Sequence, residues 1–247
     1  WPKPYGRNAS PAEQLLIDRE MAAAGVERPD LVIGWWAVPT ILEHATPEQV
    51  QRFVPPTLSG ELIWCQLFSE PGAGSDLAAL RMKAVRADGG WRLTGQKVWT
   101  SAAQKAQWGV CLARTNPDAP KHKGITYFLI DMTSPGIMVR PLREITGDEL
   151  FNEVFFDDVF VPDEMVVGTV DDGWRLARTT LANERVAMAQ GTALGNPMEE
   201  LLSAAGDLDP ERADVTDIDP VRLTQPGDLH IILLGQPWPG QIALALG

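Results

Sequence analysis

The chain has 247 residues, 45% of them hydrophobic, and a formal net charge of −12 at pH 7. This composition is typical of a globular chain with one large or two small cores. It contains no apolar run of the roughly 18 to 20 residues that a membrane-spanning helix needs, no signal-peptide layout at its start, and no block of Lys and Arg able to follow a phosphate backbone. We therefore expect no membrane span, no nucleic-acid partner and a cytoplasmic location.

Cysteines and histidines are few and isolated from one another. Cys65 and Cys111 have no companion at a CxxC or metal-ligand spacing, so we expect reduced, buried thiols and no metal site. The three histidines, His44, His122 and His230, give a His-based triad or zinc site little support. We expect all three at the surface or in loops.

The first predicted helix follows a clear start signal. Ser10 is the candidate N-cap, Pro11 occupies the first helical position, and Glu13 closes a capping box. Gly25 ends the pattern, because glycine adopts the left-handed conformation common just after a helix. The chain therefore opens with a helical element.

Two further helices are predicted before residue 62. Residues 30–43 repeat apolar residues at helical spacing, and Thr46 begins a short helix that Pro55 and Pro56 are expected to stop. We assign residues 1–61 to a partial N-terminal helical domain.

The pattern changes at Leu62 to short alternating or apolar stretches separated by turn signals such as Asp88-Gly89-Gly90. Strands at this spacing predict an antiparallel β-barrel or sandwich over residues 62–167. The predicted strands are ELIWCQLFS, MKAVRA, WRLTGQKVWTS, WGVCLART, GITYFLIDM, IMVRPL and EVFFDDVFV.

Helical spacing returns after Gly168 and predicts the start of a second helical domain over residues 168–202. Residues 203–247 differ, because aspartates and prolines alternate there without a long helical or strand pattern. We predict an α+β fold: a helical segment, a central β domain, a truncated C-terminal helical segment and an atypical tail.

The segment SEPGAGSD, residues 69–76, follows the first predicted strand. Small residues after Pro71 let backbone amides approach an anionic group, and Ser69 and Ser75 supply hydroxyls on either side. A plain Pro-Gly turn between two strands also explains these residues, so both interpretations remain open.

A second candidate segment is Lys97-Val98-Trp99-Thr100-Ser101. An indole beside small hydroxyl residues at a strand end could stack on a flat heteroaromatic ring and bond its polar rim. The alternative is an ordinary core tryptophan in a chain with nine of them.

Five motifs in one order resemble the acyl-CoA dehydrogenase family. They are SEPGAGSD, TGQKVWTS, GITYFLIDM, FNEVFFDDVFVPDEMVVG and LANERVAMAQG, and the likeness covers about residues 1–200. It agrees with the β character of the central segment. The resemblance implies FAD as cofactor, an acyl-CoA substrate, an electron-transfer flavoprotein or similar acceptor, and a homo- or hetero-oligomer.

The resemblance also implies roles for individual residues. The segment from Gln66 to Ser75 would line the FAD, with Ser69 at the isoalloxazine edge and Ser75 near both the FAD and the pantetheine arm of the substrate. Trp99 would pack against the flavin and Ser101 would lie near its N5 atom. Arg185 would lie near substrate and catalytic base, although a solvated helix charge explains it as well. The predicted cofactor residues are Gln66, Phe68, Ser69, Gly74, Ser75, Trp99 and Ser101.

Family members remove the α-proton of the thioester with a carboxylate base, which this sequence does not reveal. Glu199 and Glu200, the first glutamates after Arg185, follow a turn and are interpreted as solvated. The predicted function is therefore FAD-dependent α,β-dehydrogenation of an acyl-CoA, with a partner subunit as a possible supplier of missing groups. The alternatives are a non-catalytic acyl-CoA dehydrogenase-like subunit, a truncated remnant without a base, or a flavin oxidase or monooxygenase on a related fold.

Overall fold

Four helices and eight strands make up the part of the chain that the computed structural model describes, residues 1–26, 31–145 and 147–190. The helices are α1 (Pro11–Ala23), α2 (Gly34–His44), α3 (Pro47–Leu58) and α4 (Gly173–Gln190). The strands are β1 (Trp64–Leu67), β2 (Lys83–Ala87), β3 (Gly90–Lys97), β4 (Trp108–Arg114), β5 (Ile125–Asp131), β6 (Ile137–Pro141), β7 (Asn152–Pro162) and β8 (Val166–Val167). The predicted α+β class with a central β domain is confirmed.

Some predictions fall outside these ranges. The Asp- and Pro-rich tail with His230, the end of the predicted 168–202 segment, and Glu199 and Glu200 all lie beyond the described residues. Within them, residues 1–190 belong to one compact unit, so the predicted domain boundaries remain predictions.

The start of α1 follows the predicted capping box. The Glu13 amide donates to the Ser10 hydroxyl at 3.3 Å, and the Ser10 amide donates back to the Glu13 carboxylate at 2.6 Å. Gly25, just beyond the helix, has a φ of +63°. The helix signals in this segment are therefore confirmed.

The predicted stop of α3 at Pro55 and Pro56 is wrong, because the helix continues to Leu58. Each proline removes one N–H donor, but the carbonyls remain usable. Pro55 accepts from the Ser59 amide at 3.1 Å, and Pro56 accepts from the Leu62 amide at 3.0 Å. Prolines in the last turn thus cost the helix only two hydrogen bonds. The chain leaves the helix direction at Gly60, whose φ is +80°.

The strands form one sheet in the order β6-β7-β3-β2-β4-β5-β8, with β1 paired to β4 beside β2. This path has two ends, so the sheet is open rather than a closed barrel. Pairing is antiparallel except along β1–β4 and at the single pair Lys83 and Arg114 between β2 and β4. The sequence did not predict the parallel strand, because pairing direction depends on the path of the chain between strands.

Apolar residues of β1, β4 and β5 form the centre of the core together with α2 and α3. Cys65 and Cys111 are both buried there as free thiols, as predicted. Burial raises the pKa of the Cys111 thiol to about 12. Both cysteines therefore act as small core residues rather than nucleophiles.

Helix α4 is fixed against α2 and β5 by a buried hydroxyl cluster. Thr180 lies 2.9 Å from the Thr40 hydroxyl and 3.1 Å from the Tyr127 hydroxyl. These bonds satisfy three buried polar groups together and set the rotation of α4 about its axis. None of the helices in the described ranges has both the length and the apolar character needed to cross a bilayer.

The surface prediction is wrong for His44 and confirmed for His122. The His44 side chain, at the end of α2, is only 4% exposed. Its Nε2 lies 2.9 Å from the Thr179 hydroxyl and its Nδ1 lies 3.1 Å from Arg175 Nη1. Packing of α4 over α2, which sequence spacing does not reveal, buries it. His122 is exposed in the loop before β5, beside the ring of Trp174.

Candidate functional site

The SEPGAGSD segment forms a tight loop between β1 and β2. Glu70 and Ala73 exchange two backbone hydrogen bonds of 2.9 and 3.0 Å, which close the turn. Gly74 and Ser75 are exposed beyond it. A Cβ placed on Gly72 or Gly74 would meet no atom within 4 Å, so these glycines border open space rather than packed protein. The loop therefore presents an accessible backbone surface.

A buried ion pair anchors this loop, and sequence reasoning missed it. Lys97, at the end of β3, is fully buried, and its Nζ donates to Glu70 Oε1 at 2.8 Å and to the Phe68 carbonyl at 3.1 Å. The Glu70 carboxylate also accepts from the amides of Arg81 and Met82 at 2.6 and 2.9 Å. These bonds satisfy both charges and tie each end of the loop to the sheet. The available signal was a lysine inside the apolar alternation of β3.

Trp99 leaves the sheet directly after β3. Its side chain is 62% exposed, its φ is +58°, and its ring meets Phe151 edge-on with centroids 6.0 Å apart. The core-tryptophan alternative is therefore wrong for Trp99. The Val98 amide donates to the Ser69 carbonyl at 3.0 Å, so the two predicted flavin segments lie side by side.

The polar atoms around this junction fit a flat cofactor with a polar rim. Thr100 Oγ1 and Asn152 Oδ1 are buried without a hydrogen-bond partner among the described residues. Ser101 is half-buried and Ser69 is half-buried, one in each segment. An exposed indole, hydroxyls on either side and an open backbone loop are the groups that a flavin ring would need.

Two other predicted residues lie deeper along β1. Phe68 is buried with its ring edge-on to Tyr127, so only its backbone could face a ligand. Gln66 is half-buried and accepts from Trp36 Nε1 at 2.6 Å, while its Nε2 donates to Glu184 Oε2 at 3.0 Å. Trp36 thereby fixes which way the Gln66 amide points.

Glu184 is the residue of α4 that meets the predicted flavin segment. It continues the buried stripe of Leu176 and Thr180 at a spacing of four residues, which is the signal that could have identified it. Arg185, predicted near substrate and base, is exposed and lines a different hollow of about 530 Å³ with Arg175 and Arg178. The structure therefore places the Glu184 carboxylate beside Gln66, and the role of Arg185 near substrate and base remains a prediction.

A larger cavity of about 890 Å³ lies between α3 and the end of β7. It includes Arg52, Arg86, Trp91, Asp163 and Met165 in its wall and none of the predicted flavin residues. Its arginines are already paired, Arg86 with Asp163 and Arg52 with Glu164. Size alone therefore does not identify the candidate site.

Comparison with known proteins defines the class. Residues 65–159 match the family model described as acyl-CoA dehydrogenase, middle domain. The match covers the sheet from β1 into β7, with both predicted flavin segments inside it. Residues 65–159 therefore form a domain of the acyl-CoA dehydrogenase family.

Two curated relatives come from Mycobacterium tuberculosis. The chain is 83% identical over 209 residues to acyl-CoA dehydrogenase FadE34, covering 85% of this chain and 29% of that protein. It is 42% identical over 189 residues to acyl-CoA dehydrogenase IpdE1, covering 75% of this chain and 49% of that protein. The chain thus spans 29% and 49% of the lengths of these two curated relatives.

The chain is also similar to several solved structures. A steroid ACAD, Tcur3481-Tcur3483, is 35% identical with a TM-score of 0.68, over 76% of this chain and 49% of that one. The ChsE4-ChsE5 complex from Mycobacterium tuberculosis is 38% identical with a TM-score of 0.64, over 74% and 47%. An FAD complex of PigA is 25% identical with a TM-score of 0.57, over 61% and 40%.

Proposed function

We propose that the chain is the FAD-binding part of an acyl-CoA dehydrogenase that oxidises an acyl-CoA thioester to the 2-enoyl-CoA. One observation carries the proposal: the Ser69–Ser75 loop and the exposed Trp99 lie side by side, joined by the bond from the Val98 amide to the Ser69 carbonyl. A loop of open backbone and a free indole at one sheet edge suit a flat, phosphate-bearing cofactor. The FAD complex of PigA, a structural neighbour, supports the choice of cofactor.

In this proposal the chain's residues hold and orient the reactants. Trp99 stacks on the flavin, Ser69 and Ser101 bond its polar edge, and Gly74 and Ser75 leave room for its phosphates and for the thioester arm. Bound FAD would supply the acceptor for the hydride that leaves the β-carbon. The protein would align that carbon and take up the α-proton.

We infer that Glu184 is the group that takes up this proton. It is a half-buried carboxylate within hydrogen-bond distance of Gln66, itself part of the segment proposed to line the flavin. Because Trp36 fixes the Gln66 amide, the bond from Gln66 Nε2 holds one Glu184 oxygen in place. A positioned carboxylate at the cofactor is what abstraction of an α-proton requires.

The substrate class and partners belong to the same proposal. The similarity to the steroid ACAD supports testing a steroid-bearing acyl-CoA beside linear ones. The ChsE4-ChsE5 complex supports an oligomer in which further site residues come from another chain. A cytoplasmic location and an electron-transfer flavoprotein as acceptor complete the proposal.

The test is the visible absorption spectrum of the purified chain with FAD, before and after anaerobic addition of these acyl-CoAs. The proposal predicts a retained flavin band that bleaches with at least one of them. A retained flavin band that never bleaches would indicate a non-catalytic flavin module. Failure of the chain to retain FAD would contradict the proposed flavin site.

A further inference from the structure

The backbone of Trp99 adopts a conformation that needs support from its surroundings. A tryptophan with a φ of +58° is strained and persists only where neighbouring contacts determine it. Ala102, three residues on, has the same φ of +58°. The segment from Val98 to Ala102 is therefore held in place rather than folded by its own preference.

The support comes from the first residue of β7. The Asn152 carbonyl accepts from the Thr100 amide at 3.0 Å, and Asn152 Nδ2 donates to the Thr100 carbonyl at 2.9 Å. One residue thus binds both polar groups of the Thr100 backbone. Asn152 Nδ2 also donates to Gln104 Oε1 at 2.7 Å, which connects Asn152 to a residue just beyond this segment.

The two residues before Asn152 also contact the turn that carries Trp99. Phe151 lies edge-on to the Trp99 ring, and the Leu150 carbonyl accepts from the Ala102 amide at 3.4 Å. Asn152 is fully buried, so its bonds do not compete with water, and losing them would leave the Thr100 carbonyl without this partner. Residues 150–152 thus contact the turn that carries Trp99 through hydrogen bonds and one ring contact.

We propose that Asn152 is the positioning residue of the flavin site: it holds the strained turn that presents the Trp99 indole to the cofactor. This proposal rests on the proposed function, because the ligand of the indole is the flavin. Asn152 itself touches no reacting atom. Its effect passes through the backbone of Thr100 to the orientation of Trp99.

The matched control is Gln49. It is also a buried amide, and its Nε2 donates to two backbone carbonyls, those of Glu164 and Val166, at 2.7 and 2.9 Å. These bonds tie α3 to the segment around β8, away from Trp99. Both variants remove side-chain bonds to backbone carbonyls, and Gln49→Leu also removes the bond from the Thr46 amide to Gln49 Oε1. Only Asn152→Leu removes support from the turn that carries Trp99.

The first measurement is amide hydrogen exchange in the full chain without cofactor. Asn152→Leu keeps the main-chain bond that the Thr100 amide donates but removes the side-chain bond to the Thr100 carbonyl. The turn should therefore open more often, and exchange of the Thr100 amide is expected to speed about tenfold, since one buried hydrogen bond corresponds to roughly that factor. Gln49→Leu should leave this amide unchanged. Equal exchange at Thr100 in Asn152→Leu and the parent chain would overturn the proposal whatever the fate of the flavin assignment. If Asn152→Leu does not fold, Asn152→Ala serves in its place.

The second measurement uses flavin fluorescence, which a stacked indole quenches. In the parent chain, Trp99→Phe should increase the fluorescence of bound FAD. In Asn152→Leu, Trp99→Phe should change this fluorescence little, because the indole is already displaced from the flavin in that variant. If Trp99→Phe increases the fluorescence equally in the parent chain and in Asn152→Leu, Asn152 does not position the indole. The proposal for Asn152 then fails, while the flavin site remains supported. If Trp99→Phe has no effect in the parent, the flavin site itself is wrong and this proposal falls with it.

Discussion

Lys97 Nζ lies 2.8 Å from Glu70 Oε1, and the two side chains are 0% and 8% exposed. This pair joins the end of β3, two residues before Trp99, to the loop that carries Ser69 and Ser75. The loop and the tryptophan therefore keep a fixed separation, which a rigid cofactor needs.

The first prediction concerns this pair. Lys97→Met should lower the free energy of unfolding by about 3 to 5 kcal/mol, because it leaves a buried carboxylate without its cation. Urea unfolding measures the change. Lys121→Met is the matched control, since Lys121 pairs with Asp76 at an exposed position and should lose less than about 1 kcal/mol. Similar losses in the two variants would refute the structural importance of the pair.

The second prediction concerns FAD retention. The double variant Trp99→Ala, Ser101→Ala should weaken FAD binding about tenfold or more, because it removes a stacking surface and a hydroxyl. Fluorescence titration with FAD gives the dissociation constant. Phe160→Ala, which removes an exposed aromatic side chain elsewhere on the sheet, should leave it unchanged. Unchanged binding in the double variant would eliminate the site.

The third prediction concerns Glu184. Glu184→Gln keeps the shape of the side chain but cannot accept a proton, so flavin bleaching by acyl-CoA should slow by roughly a hundredfold or more while FAD stays bound. Anaerobic stopped-flow absorbance measures the rate. Glu164→Gln, at an exposed position, is the control. A bleaching rate unaffected by Glu184→Gln would assign the base to another residue or chain.

The fourth prediction concerns pH. Burial lowers the pKa of His44 below its usual value of 6.5, and the Arg175 guanidinium acts in the same direction, against Glu43 and Asp172. The unfolded chain therefore takes up a proton at a higher pH than the folded chain, so stability falls as pH drops below about 6.5 and continues to fall until the folded-state pKa is passed. His44→Gln should reduce this loss between pH 7.5 and pH 5 in urea unfolding. If the free energy of unfolding depends on pH identically in His44→Gln and in the parent chain, His44 is not the source of the loss of stability.

Local sequence signals were sufficient for much of the fold. The capping box at Ser10, the alternating stretches from Trp64 to Pro162 and the helix over Gly173–Gln190 depend on neighbours within a few residues, so the sequence predicts them directly. The two predicted flavin segments are short runs as well, but their residues also fitted a plain turn and a core tryptophan, and only the family resemblance assigned them to a flavin.

The sequence alone therefore determined most of the helices and strands and which short segments were candidates for meeting a cofactor, but not the end of α3 or the short strand β8. Only the tertiary structure decided that Lys97 and Glu70 form a buried pair and that the His44 side chain is buried. It also decided that β1 runs parallel to β4 and that Glu184 meets Gln66. Each of these depends on how distant segments pack, and the free energy of packing is shared among residues whose proximity no local pattern records.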